Sequence, residues 1–170
     1  ILAAFAGIGL VAAAVVAVPG AATAAPSTET VTYNYTGSVQ SFTVPAGITQ
    51  LSITATGAEG GLGGRDSQGE PIPGGYKGRV TGTVAVTPGQ VISIAVGAGG
   101  ARGASSTSAQ NRAAAGSNPI AAYSGGQGGM PGNRGSSGGG GGGGAATVVT
   151  VGSSTIVAGG AGGGGGSGQW

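Results

Sequence analysis

From residue 31 onward apolar and polar positions alternate. Val31, Tyr33 and Tyr35 are interleaved with Thr32, Asn34 and Thr36, the period-two signature of a half-buried strand. Phe42 and Val44 share a face of the next run, followed by Pro45-Ala46-Gly47. Leu51, Ile53 and Ala55 then alternate with Ser52, Thr54 and Thr56. Pro presets the φ of a turn's second residue and Gly supplies positive φ near its end, so residues 39–57 are expected to form a hairpin. The device recurs at 78–97, where Val80, Val84 and Val86 precede Thr87-Pro88-Gly89-Gln90, and Ile92, Ile94 and Val96 follow. Pro-Gly at the centre of that turn is a type II signal. A third hairpin is expected at 146–158, ATVVTV-GSS-TIVA. The sum is about seven short antiparallel strands. The best helix alternative, 104–115, lacks an apolar stripe and is rich in Ser and Thr.

Between the strands lie glycine tracts, roughly 57–75, 97–144 and 159–168, including seven consecutive glycines at 138–144. Glycine is 43 of 170 residues with no collagen-like period, a bias that ordinarily signals low complexity. These tracts join strands whose apolar faces must share one core, whereas a flexible linker joins domains. Two readings of them stand. Either they are floppy, because glycine loses the most backbone entropy on ordering, or they form extended three-residue-per-turn helices that approach closely for want of side chains. The fold class is all-β in both cases, a small antiparallel β-sandwich with glycine-rich inserts.

The first 18 residues are apolar throughout and precede PGAATAAPS. With a small-residue site at Ala22-Thr23-Ala24, they read as the core and cleavage region of a secretory signal, giving a mature start at Ala25. The competing reading is a membrane anchor, disfavoured by the Ala and Gly content and by the cleavage site. The expected organisation is therefore a leader at 1–24, a short linker at 25–30 and a glycine-rich β domain at 31–170. No basic stretch or initiator Met precedes the apolar run, so the sequence is expected to enter its leader partway. A further strand or an anchor is expected beyond the final glycine tract.

The stretches FTVPAGITQLSITATGAEGGLGG and GGYKGRVTGTVAVTPGQVISIAVGAGGARG resemble the glycine-rich domain of many secreted bacterial proteins. GGGGGGGAATVVTVGSSTIVAGGAGGGGG is similar to that family's closing strand pair, so the resemblance covers about residues 33–166. A more distant resemblance is to the glycine-rich extracellular module of anaplastic lymphoma kinase. The resemblance implies a β-sandwich interleaved with polyglycine helices, which favours the ordered reading of the tracts.

Charge and chemistry narrow the function. Net charge is +2, and the six basic residues form no run, which argues against nucleic-acid binding. Cys and His are absent, removing thiolate and imidazole metal ligands, disulfides and the His-based nucleophile pairs. A dinucleotide-type glycine pattern starting at Gly97 fails because position 102 is Arg and no amphipathic helix follows. Glu59, Asp66 and Glu70 surround a partial calcium-repeat pattern, in which the Asp falls one place late; a solvated loop tip is the expectation. With Glu29 they are the whole carboxylate stock, and nothing in the spacing pairs two across a cleft. Tyr33, Tyr35, Phe42, Tyr76, Tyr123 and Trp170 offer sugar-stacking surface, with core packing the expected role of the Tyr33–Tyr35 face.

No catalytic, cofactor-binding or metal residues are therefore assigned, and no enzyme activity is expected. The expected protein is a secreted or surface-exposed structural and adhesive module. A specific binding module for cell-wall glycan or a receptor is the alternative, and an accessory domain of a secreted enzyme a remoter one. Partners are expected to be surface glycan, protein or further copies of the chain. Neither nucleic acid nor membrane beyond the leader is expected to take part.

Overall fold

Eight strands build two four-stranded sheets in the computed structural model, which describes residues 7–13, 28–65, 70–105, 111–132 and 137–167. The strands are β1 (Gly7–Ala13), β2 (Thr28–Asn34), β3 (Gln40–Thr43), β4 (Gln50–Thr56), β5 (Arg79–Ala85), β6 (Val91–Ala95), β7 (Thr147–Val151) and β8 (Ser154–Ala158). Sheet A has the order β2-β1-β4-β5 and sheet B the order β3-β6-β7-β8. Every pairing is antiparallel. Helical structure among the described residues is a single 3-10 turn at Ala121–Tyr123.

The core lies between the sheets and uses most of the inward positions that alternation predicts. Val80, expected inward with Val84 and Val86, is instead 40% exposed, on the edge strand of sheet A. Leu51, Ile53 and Ala55 of β4 face Ile92 and Ile94 of β6, with Val44, Val86, Val96, Val149 and Val151 closing the cluster. Leu51 and Ile92 are wholly inaccessible to solvent, so the small sandwich has a dry centre. Val31, Tyr33, Tyr35 and Phe42 are half-buried and pack against the cluster.

Two of the three expected hairpins are not hairpins. β3 and β4 lie in different sheets, as do β5 and β6. Each Pro-containing turn is thus a corner carrying the chain across the core. The second turn is as read, with Gln90 N donating to Thr87 O at 3.0 Å, and Gly47 and Gly89 both take positive φ, 82° and 79°. The first turn is shifted by one residue from the expected placement of Pro at its second position. At the first corner Ile48 N donates to Pro45 O, so Ala46 and Gly47 are the central pair and Pro45 precedes them. Turn chemistry fixes a reversal of direction but not its plane. Here the two corners lie side by side and hydrogen-bond to each other's strands, Val44 N to Gln90 O and Val86 N to Thr49 O, both at 2.9 Å. Of the three expected hairpins, β7–β8 alone is one, turning at Gly152.

The glycine tracts leave and re-enter the sandwich on the same side. One runs out from β4 at 57–64 and another returns at 72–78 to β5. A third leaves β6 at 97–104, followed by a return at 111–118, an outward run after the 3-10 turn and a return at 138–146 into β7. The last leaves β8 at 159–167. The 104–115 segment is therefore no helix where it is described; residues 106–110 lie outside the described set.

The seven-glycine run forms the centre of this array. Its N–H groups donate with a period of three to three different neighbours. Gly138, Gly141 and Gly144 reach Ser167, Gly164 and Ala161; Gly139 and Gly142 reach Ala104 and Ala101; Gly140 and Gly143 reach Gly129 and Gly126. A fourth neighbour donates back, Gly61 N to Gly142 O at 2.8 Å and Gly64 N to Gly139 O at 2.7 Å. The backbone groups that a side-chain-free segment must satisfy are thus paired between tracts. The tract is ordered by its surroundings.

Candidate functional site

Where the first outward tract meets its return, the local sequence leaves side chains on an otherwise bare surface. Gly57 N donates to Gly78 O at 2.9 Å and Gly63 N to Ile72 O at 2.8 Å, tying 57–63 to 72–78. Gly75 and Gly78 also donate to Gly162 and Gly159, so the return arm lies over a third tract. Backbone bonding on both sides leaves the intervening side chains free to point outward. Between them is an open groove of about 270 Å³ lined by Glu59, Leu62, Pro73, Tyr76 and Lys77, with glycine backbone as its floor.

Tyr76 is fully exposed, and Leu62 is 42% exposed. Lys77 Nζ lies 2.7 Å from Glu59 Oε1, joining the two walls. Both members are accessible, so the ion pair adds only about 0–1 kcal/mol to stability. Its effect is chemical: a donor and an acceptor share the groove with an exposed aromatic ring. Such a set suits stacking and hydroxyl recognition and contains no nucleophile–base pair.

The other residues singled out by sequence are dispersed. Glu70 is ion-paired with Arg65 at 2.9 Å, and Asp66 lies outside the described residues. Among the described residues no group of three or more His, Cys, Asp or Glu is placed to hold a metal. Gly97 and Gly100 belong to a tract stacked on Ala145 and Gly142, not to a nucleotide loop. Tyr33 and Tyr35 take the expected core role, and Tyr35 Oη lies 2.6 Å from Ser117 Oγ. Partial burial pushes the Tyr33 hydroxyl above its ordinary range, because the phenolate is less well solvated there. Trp170 lies outside the described residues.

Two features escaped the sequence reading. The first is Asn118, whose side chain is 7% exposed. Its Nδ2 donates to Ala146 O at 2.8 Å and its Oδ1 accepts from Ile120 N at 2.7 Å, locking the end of a return tract to β7 and the 3-10 turn. The Asn118-Pro119 dipeptide was the available turn signal. The second is the alignment of hydroxyls across the outward face of each sheet. Cross-strand register aligns Ser41, Ser93, Thr150 and Thr155 in one row of sheet B. On sheet A, Thr54 lies opposite Thr81 with their hydroxyls 3.1 Å apart, and Ser52 lies opposite Thr83. Both sheets present aligned hydroxyls.

A family model described as a glycine-rich domain matches residues 32–170, which takes in both sheets' later strands and all the tracts. The chain belongs to the glycine-rich domain family. No curated protein and no solved structure matches it. The groove and the hydroxyl rows of this glycine-rich domain both fall within the matched segment.

Proposed function

We propose that this glycine-rich domain is an exported, surface-exposed, non-catalytic structural and adhesive module. One observation carries the reading. The interior of the tract array is held by backbone-to-backbone hydrogen bonds, leaving outward hydroxyl rows and a few side chains as the chemistry offered to a partner. The three-residue period of donation is the one an extended glycine helix would give, which supports reading the array as a stiff spacer. Its apolar leader with the Ala22-Thr23-Ala24 site supplies the route outward, and the family match begins after it, at residue 32. Hydroxyl-rich faces recognise other hydroxyl-rich polymers through many weak, partly water-mediated bonds.

The test is to express the chain with its own leader, fractionate the cells, and measure attachment of the exported protein to isolated cell-wall material. Retention on the wall that survives high salt is expected. Release by moderate salt, or recovery only in the cytoplasm, would overturn the reading.

A second reading is favoured by the groove: specific glycan binding, with a sugar ring on Tyr76 and its hydroxyls on Lys77 and Glu59. Saturable binding of a soluble oligosaccharide, lost in Tyr76→Ala, separates it from diffuse adhesion.

A further inference from the structure

The leader and the fold meet at one place. β1 lies inside the segment read as the leader, yet it holds an interior position of sheet A. It pairs from Gly7 to Ala13 with β2, and from Gly9 to Ala12 with β4. Both neighbours are antiparallel to it, so β2 and β4 run parallel to each other. Cleavage before Ala25 removes β1 and leaves two facing strand edges about 9–10 Å apart, twice the ordinary spacing. One edge belongs to β4, whose Leu51 and Ile53 are the centre of the core. The other is held nearby by Tyr35, which follows β2 and bonds to Ser117. Unpaired N–H and C=O groups on both edges would lie beside apolar core, an arrangement that templates strand addition.

We propose that in the exported protein the slot between β2 and β4 accepts an extended segment of a partner polypeptide, a mode of recognition by strand addition. The proposal rests on the export reading above. Among the described residues the other seven strands are already placed in the two sheets. The chemistry of the occupant follows from what the slot holds now. Gly7–Ala13 reads GIGLVAA, uncharged, with no side chain larger than Leu or Ile. Its direction is fixed too. β4 runs into Gly57 and the tracts, so the occupant runs away from them. Register places its third residue between Thr32 and Thr54 and its fourth between Val31 and Ile53.

The experiment uses the full chain with a specific protease site in place of residues 19–24. After cutting, a fluorescent synthetic peptide of residues 7–13, flanked by lysines for solubility, is offered to the nicked protein. Saturable uptake of one peptide per protein is expected, with slowed hydrogen exchange at 28–34 and 50–56. A Leu10→Pro peptide lacks a ladder donor and should bind about tenfold more weakly or worse. If the nicked protein unfolds once the cut segment is removed, refolding on addition of the first peptide but not the second supports the slot equally well. A folded, nicked protein that takes up no peptide, or takes up both peptides alike, overturns it. So does protection, without peptide, of β2 amides together with the β4 amides that face away from β5, which would mean that the two strands close on each other. Intact mass of the exported protein tests the reading beneath: retention of residues 1–24 would show the slot filled by the chain's own strand and remove the need for a partner, whatever the peptide does.

Discussion

The sandwich and the glycine array solve the same problem from opposite ends. In the sandwich, side chains fill the space between two sheets, and burial of Leu51, Ile53, Ile92 and Ile94 drives assembly. In the array, the absence of side chains lets backbones approach until N–H and C=O groups of neighbouring tracts pair directly. The first region is damaged by removing atoms, the second by adding them. Each also depends on the other. Tracts are anchored where β4, β6 and β8 run into them, and the return tracts set where β5 and β7 begin.

The largest expected effect is on the side-chain half. Leu51→Ala leaves a cavity at a position with no solvent exposure and should cost about 2–5 kcal/mol in denaturant unfolding. A loss under 1 kcal/mol would mean that the two sheets are not packed as described.

The array should fail in the opposite sense. A methyl group on Gly142 would overlap the carbonyl oxygen of Ala114, and one on Gly141 that of Gly61. Gly142→Ala should therefore cost about 1–3 kcal/mol, as overpacking does elsewhere. The adjacent Gly143→Ala is the control, because its methyl would lie 3.2 Å from Gly126 N and needs only a small shift. Unfolding midpoints at constant slope read both. Equal effects at 142 and 143, or none, would remove the three-residue register from the array.

Between these lie the corners. Gly89 has φ of 79° and open space around its Cα, so Gly89→Ala is penalised by backbone strain alone. About 1 kcal/mol is expected from thermal unfolding. A much larger loss would show that the corner is crowded.

The smallest effect is electrostatic. In the unfolded chain Tyr33 titrates near 10.0, and in the fold partial burial raises that value. The folded state therefore holds its proton to higher pH than the unfolded state does. Its contribution is complete below the unfolded value and is lost as pH rises through the folded one, so stability should fall slightly above pH 10 and Tyr33→Phe should flatten that limb. An unchanged limb in Tyr33→Phe would assign the loss to another group.

Much of the sandwich was legible in the chain. Period-two alternation marked the inward positions of β2, β3, β4 and β6 because strand side chains alternate by geometry, whichever sheet the strand joins. Gly47 and Gly89 marked the turns because positive φ is a local requirement, met by glycine without strain. The groove was less legible. Glu59, Tyr76 and Lys77 are distant from one another or undistinguished in sequence, and only the pairing of 57–63 with 72–78 brings them together. The hydroxyl rows were hidden for the same reason, since the alignment of Ser41, Ser93, Thr150 and Thr155 depends on cross-strand register.

The sequence by itself thus determined the class of fold, the strands after the leader, the positive-φ turn glycines and the inward faces of β2, β3, β4 and β6, all of which follow from local sterics and local periodicity. The plane in which β3 turns to β4, and β5 to β6, was decided only by the tertiary structure, because a reversal is compatible with a hairpin or with a corner and the choice depends on distant partners. Tertiary structure also decided the fate of Gly138 to Gly144. A run of identical residues without side chains carries no pattern, and its order comes from the hydrogen bonds and close approach of the surrounding tracts.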